Sequence, residues 1–502
     1  MKRLLQTLNP DRLFFIILLL FLFQEGIFID KRVTVDEVWH SVPVYRAHED
    51  GAFTVRAMKE GDGSYSKLYQ LAGYQSALIL WHEVFPKEIL YSRMFSLLFG
   101  ALILLTLYSL CKRIWKNSYW AALPPALLAA DNLFFITSIT VRSDIIIAAG
   151  IPLVLYLVYD KEWNLKPNRL FIAGVITLIF AGMHPNFLLA AASLLAAYLI
   201  VEAKHHSLRQ NAKNIFLFTI PYIILAAAAL IYGFAKGLDA IAFLTPYVMK
   251  TSELSTVLSL DFGSLFREEW NRYLDFIQFP FRLHLFLILL LSTVVSLLST
   301  EKIIKLMSVI TLTVMVSFYM LDSKTVRYFV LILPLMYVSL SFIAYRIYIS
   351  AGAVFKRVPI LILFFVMMIS LGGNAYLIIK HWNTNYKDFS SALYFKPQNG
   401  KNIIGDLILW DTFKNADFSA YPGLGLEINN YDYVIARYGV FGNNNIIMTR
   451  TNTFAHSANK KRRDEGYKII EGAISERGTL IKEVDHPYYG SFKVYRMNRG
   501  KK

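Results

Sequence analysis

Cysteine is nearly missing from this chain: Cys111 is the only one in 502 residues, so an intrachain disulfide is excluded and bridges give no clue to the compartment. Charge is scarce too. Only 18% of residues are Asp, Glu, Lys or Arg against 55% apolar, and the mean hydropathy is +0.42, a balance that soluble globular chains rarely show. The apolar runs carry few charges in their middles and no internal repeat is evident. Both absences weigh against a secondary transporter or a flippase of lipid-linked glycans, the alternative class for a basic, many-span protein. Acids are the scarcer sign, 36 against 52 Lys and Arg, giving a net charge of +16. Much of that excess falls in short connections between apolar runs, where it sets membrane orientation, and nucleic acid is therefore not expected as a partner.

What is present is a series of apolar runs long enough to cross a hydrocarbon core of roughly 30 Å at 1.5 Å per helical residue. Spans are expected near 13–29, 89–111, 118–136, 143–159, 169–183, 186–202, 214–234, 283–300, 303–321, 327–345 and 358–379. Pro124-Pro125 is expected to break the third, and Gly182 to Asn186 leaves almost no loop between the fifth and sixth. The first run has no small-residue cleavage site after it and is expected to stay as an anchor.

Every second connection is basic: Lys2, Arg3 and Arg12; Lys112, Arg113 and Lys116; Lys161, Lys166 and Arg169; Lys204, Arg209 and Lys213. This pattern puts the N-terminus in the cytoplasm. Segments 30–88, 235–282 and the tail from 380 then share the outer face. The tail is polar, with strand-like NIIGDLILW, DYVIARYGVF and SFKVYRM and a helix-like stretch over 461–476. The expected fold is mainly α: a polytopic membrane bundle of about 11 transmembrane helices with a C-terminal extracytoplasmic α/β domain. The helical domain takes residues 1–380 and the soluble domain 381–502. The bacterial inner membrane is expected over the endoplasmic reticulum, since the outer segments hold no Asn-x-Ser/Thr acceptor. The basic groups Lys460 to Arg463 and Arg499 to Lys502 either meet membrane lipids or are solvated.

The outer face also gathers the polar residues that can do chemistry. Asp36-Glu37 follows the first span directly, in VTVDEVWHSVPVYRAHEDG, read as an amphipathic segment with Val35, Val38, Trp39 and Val42 on its apolar side. Asp36 there either caps a helix or serves in proton transfer. His40 and His48 stand close enough in sequence to join the acids around a divalent cation, but no ligand spacing appears. Arg142 and Arg327 lie at the outer starts of spans, with Asp144 either pairing with Arg142 or capping its helix. His184 sits in GMHPN between two spans, and Trp270 and Tyr273 in FREEWNRYLDF suit either sugar stacking or the interfacial belt.

Further landmarks occur in order along the chain: YSKLYQLAGYQSALILWHEVFP, YSRMFSLLFGALILLTLYSL, ITSITVRSDIIIAAG and SKTVRYFVLILPL. With the Asp-Glu pair, they resemble the C-type glycosyltransferases that use polyprenyl-phosphate sugars, the family of the protein O-mannosyltransferases and the aminoarabinose transferases of lipid A. The resemblance covers roughly residues 10 to 345. It implies a membrane enzyme that moves a monosaccharide from a polyprenyl-phosphate donor to a protein, lipid or glycan acceptor, with no nucleotide-sugar site. In that chemistry one carboxylate aligns the acceptor or takes its proton, and cations stabilise the departing phosphate. Asp36 is the expected base, with Glu37 assisting. Arg142 and Arg327 are the first candidates for the donor phosphate, Lys67, Arg93 and Lys324 the second, and Asp144, His184, Tyr328 and His40 support them. No cofactor is required, though the chemistry leaves room for a divalent cation.

Overall fold

The computed structural model describes residues 9–34, 37–38, 40–41, 44–45, 72–116, 118–184, 186–235, 280–319, 326–350, 352, 355–397, 402–406, 409–413, 417–421, 431–438 and 468–498. The outer loop expected at 235–282, with Trp270 and Tyr273, lies almost wholly outside them. So do Val35, Trp39 and Val42, whereas Val38 is buried. Two compact units divide the chain. The first takes 1–26, 69–74 and 96–376; the second takes 27–68, 75–95 and 377–502. The sequence groups 30–88 with the helical domain. Its described residues 30–34 and 75–88 instead fall in the unit that holds the tail, and residues 30–33 hydrogen-bond to 384–386 and to Tyr488 and Tyr489.

The helices in chain order are α1 (Pro10–Phe28), α2 (Ala72–His82), α3 (Ile89–Trp115), α4 (Leu123–Ala130), α5 (Asn132–Ile139), α6 (Ser143–Ala148), α7 (Gly150–Val158), α8 (Leu170–Met183), α9 (Phe187–Ala197), α10 (Leu208–Ala235), α11 (Pro280–Ser296), α12 (Lys302–Tyr319), α13 (Leu333–Ser350), α14 (Arg357–Lys380) and α15 (Tyr386–Leu393). Among the described residues, six helical segments are long and apolar enough to cross a membrane, or seven if the bent pair of α4 and α5 counts as one. The first run forms a helix of 19 residues, but Asp11, Arg12 and Glu25 set it apart from those six. Outward-facing Phe23, Ile231 and Phe365 are each more than 60% exposed, an apolar exterior that suits lipid. Inside the first unit, α8 packs on α10, α9 on α12, and α13 on α4, α11 and α12. Gly174 allows the first of these approaches: a Cβ there would lie 2.2 Å from the Phe218 carbonyl oxygen.

The third expected span is broken, but not at its prolines. Pro124 and Pro125 occupy the first turn of α4, where the missing N–H groups have no intrahelical partner to lose. The break falls at Asp131, with a 67° bend. Its Oδ1 accepts the N–H groups of Leu133 and Phe134 at 2.8 and 2.9 Å and so starts α5 afresh. The Tyr337 hydroxyl donates to Oδ2 at 2.7 Å, and Asn374 donates to the Ala130 carbonyl at 2.9 Å. A broken helix in an apolar bundle needs such partners for its released backbone groups. Tyr337→Phe is expected to lower stability by about 1–3 kcal/mol by removing a hydrogen bond to a buried carboxylate. Thermal unfolding in detergent checks it, and an unchanged midpoint would contradict the account.

In the second unit, β1 (Asn402–Asp406), β2 (Asp417–Tyr421), β3 (Tyr433–Tyr438), β4 (Gly478–His486) and β5 (Gly490–Met497) form one sheet in the order β2-β1-β3-β5-β4. Strand β1 runs parallel to β2 and β3, and β5 runs antiparallel to β3 and β4. A helix over 468–477 packs Ile470 and Ala473 onto Ile404, Val434, Ala436 and Met497. On α15, Phe389 meets Phe492 of the neighbouring strand at 5.1 Å between ring centroids.

Candidate functional site

In the second unit the acidic segment begins at Thr34, whose x-x-Glu spacing supplies one half of a capping box, the glutamate reaching back to the threonine N–H. Glu37 Oε1 accepts the Thr34 N–H at 2.8 Å and its hydroxyl at 3.1 Å. The Glu37 side chain is buried, and Arg93 meets it with a two-pronged ion pair: Nε to Oε2 and Nη2 to Oε1, both at 2.7 Å. The other donors of Arg93 go to the carbonyls of Ile29 (2.8 Å), Lys31 (2.6 Å) and Arg32 (3.2 Å). A guanidinium has five N–H donors, and here all five are engaged by the protein. In this structure those donors hold the chain that leaves α1, and Glu37 is the buried counter-ion of Arg93. His40 is buried in the same segment.

In the first unit, α6 starts at the Arg142-Ser143-Asp144 stretch. Arg142 has extended backbone and stands just before the helix, whose N-terminus no side chain caps. Asp144 therefore pairs and does not cap. Its Oδ2 lies 2.8 Å from Arg142 Nε and 3.8 Å from Arg327 Nε, and its side chain is only 2% exposed. Arg327 is in a 3-10 turn, Val326–Leu331, which packs on α6 and leads into α13. The next residue, Tyr328, meets the His184 ring edge-on at 5.9 Å and the Phe318 ring at the same separation. His184 Nδ1 accepts the Asn186 N–H at 3.1 Å. Burial, and then the charges of Arg142 and Arg327 against the opposing pull of Asp144, hold the His184 imidazole down at about 4. It is therefore neutral at pH 7. Two guanidiniums thus face one buried carboxylate, and the Arg142 and Arg327 side chains are 13% and 29% exposed. The arrangement suits an anion with several oxygens, phosphate above all.

Thus the structure brings together Arg142, Asp144, His184, Arg327 and Tyr328 in one unit, and Glu37 and Arg93 in the other. Asp36, Lys67 and Lys324 lie outside the described residues. Among the described residues no three His, Cys, Asp or Glu side chains gather as a metal site. Sequence reasoning missed Asp131, Tyr488 and Tyr489. For the first, an Asp before an apolar run was a readable helix-start signal.

No protein-family model matches the sequence, and no curated protein does either. Solved structures do match. The aminoarabinose transferase ArnT from Cupriavidus metallidurans, bound to undecaprenyl phosphate, aligns over 96% of this chain and 97% of its own, with a TM-score of 0.56 and 12% identity. Its apo state aligns over the same shares with a TM-score of 0.59 and 10% identity. The chain has the fold of ArnT.

Proposed function

We propose that this protein is an integral membrane glycosyltransferase that moves a monosaccharide from a polyprenyl-phosphate carrier to an acceptor at the extracytoplasmic face. The observation that carries the reading is the Arg142–Asp144–Arg327 cluster, in a chain with the fold of a transferase solved with undecaprenyl phosphate. In the proposed reaction an acceptor hydroxyl or amine attacks the anomeric carbon, the bond from that carbon to the phosphate oxygen breaks, and polyprenyl phosphate leaves. Asp36 takes the acceptor proton. Arg327 and Arg142 neutralise charge on the departing phosphate, where fixed donors are worth most in a site that excludes water. Asp144 holds the two guanidiniums against their mutual repulsion, and neutral His184 adds no further positive charge. Lys67 and Lys324 remain proposed secondary ligands of the phosphate.

The same reading includes a bundle of about eleven spans, a cytoplasmic N-terminus, the sheet domain outside the cytoplasm and a bacterial inner membrane. The acceptor is a protein, lipid or glycan. The test is transfer from radiolabelled polyprenyl-phosphate sugars to host membrane extract by the purified protein. Arg327→Gln is expected to raise the donor KM by about ten- to a hundred-fold, from the loss of a charged hydrogen bond of about 1.5–3 kcal/mol. Arg142→Gln should also lower stability, because it removes the closer partner of a buried carboxylate. A donor KM unchanged in both variants would dismiss the phosphate role.

A further inference from the structure

The chain leaving α1 is tied by polar contacts to the C-terminal part of its own unit. The Tyr386 N–H donates to the Asp30 carbonyl at 3.0 Å, and the Arg32 N–H to the Thr384 carbonyl at 3.3 Å. Lys31 Nζ donates to Asn385 Oδ1. The turn between β4 and β5 adds two tyrosines: the Val33 N–H donates to Tyr489 Oη at 3.0 Å, and Arg32 Nε donates to Tyr488 Oη at 3.2 Å.

Tyr489 is itself fixed from several sides. It is buried, its ring stacks on Phe389 at 4.3 Å, and its carbonyl accepts from Arg437 Nε at 2.7 Å. His486 Nδ1 accepts the N–H groups of Tyr488 and Tyr489 at 3.1 and 3.2 Å, which closes the turn. A hydroxyl held this way is a rigid point of reference for the backbone that binds it.

The bound backbone is strained. Arg32 has φ of 49°, in the left-handed region that a residue with a Cβ avoids. Such a conformation persists where its surroundings over-determine it, and strain of this kind gathers at functional sites. Here the Arg32 N–H, side chain and carbonyl are each engaged, by Thr384, Tyr488 and Arg93. Thr34 follows two residues later and opens the turn that Glu37 closes. Simple docking of a tail needs apolar burial. These contacts instead converge on residues 30–33, just ahead of Asp36 in the sequence.

We infer that the Tyr488-Tyr489 turn is a positioning element for catalysis: through the Tyr488 and Tyr489 hydroxyls it fixes Arg32 and Val33, four and three residues ahead of Asp36 in the sequence. This rests on the transferase reading above. It gives the C-terminal sheet a role in turnover without any contact to substrate. Small displacements of a reacting group are costly, with a misplacement of about 1 Å able to lower rate by about a hundred-fold.

The test compares the full-length wild type with Tyr489→Phe, which keeps the ring and removes the acceptor, and with Tyr488→Phe. For Tyr489→Phe, kcat is expected to fall by about ten-fold, with the donor KM within about two-fold of wild type. Amide hydrogen exchange in peptides covering residues 29–37 should speed up, while the sheet and the helices exchange as before. Wild-type kcat in Tyr489→Phe, or unchanged exchange over 29–37, would overturn the inference; so would a loss of activity that follows only the thermal midpoint. If Tyr489→Phe does not fold, the same readouts on Tyr488→Phe decide the matter. Absence of transfer by the wild type defeats the transferase reading and the catalytic role with it, while the exchange comparison still tells whether the turn holds the segment.

Discussion

Asp36→Asn is expected to lower sugar transfer by about a hundred- to ten-thousand-fold, the contribution of a positioned general base. Asparagine keeps the shape of the side chain and its ability to accept a hydrogen bond, but it cannot take the acceptor proton as the glycosidic bond to phosphate breaks. The donor KM should be nearly unchanged, because the residues proposed to hold the phosphate, Arg142 and Arg327, belong to a separate cluster around Asp144. Loss of kcat with the donor KM preserved marks an interaction made only in the transition state. The measurement is initial-rate transfer from a polyprenyl-phosphate sugar, with thermal unfolding as the control for folding. Transfer at the wild-type rate would remove Asp36 as the base. Glu37 offers the contrast: any activity lost on its substitution should follow the fold, because Arg93 and Thr34 already engage its carboxylate.

Helices α3, α10, α12 and α14 were legible in the sequence because each is a continuous apolar run of full spanning length, and hydropathy alone decides that. At Asp131 the helix start was readable but the break was not, because the bend depends on Tyr337 and Asn374, which lie 206 and 244 residues away from the groups they satisfy. Pro124-Pro125 misled for a related reason: proline breaks a helix interior but suits a first turn, and its place in the turn depends on where the helix begins. In the tail, β3 and β5 were readable because they place apolar residues on both faces of the sheet. Strand β4 escaped notice because it is an edge strand whose residues are mostly half-buried or exposed, so its apolar signal is weak. At the site, Arg142 and Asp144 are near neighbours and their pairing could be anticipated. The partner of Glu37 could not. Arg93 lies 56 residues away, and an arginine at the start of a membrane helix reads equally as a phosphate ligand. The Thr34-x-x-Glu37 spacing was the available warning that this acid had a local structural task.

Arg93→Met is expected to destabilise the protein by about 3–5 kcal/mol, the range for breaking a buried ion pair by removing one partner. The substitution affects more than the carboxylate. Three carbonyls, those of Ile29, Lys31 and Arg32, lose their donor from Arg93 at the same time. Glu37→Gln should cost less, since the amide oxygen still accepts from Thr34 or from one prong of the guanidinium, and the carbonyl contacts of Arg93 survive. Arg93→Lys is the sharper test. Lysine keeps the charge and fills a similar volume, but its three donors on a single nitrogen cannot span two carboxylate oxygens and three carbonyls. It should therefore fall nearer to Arg93→Met than to wild type. Denaturation of the detergent-solubilised variants measures the order, and wild-type stability in Arg93→Lys would show that charge alone, not the five-donor fork, holds the chain as it leaves α1. A double variant removing both Glu37 and Arg93 separates the two contributions. If the ion pair were all that mattered, an apolar replacement of both would approach wild-type stability; the three released carbonyls predict that it will not.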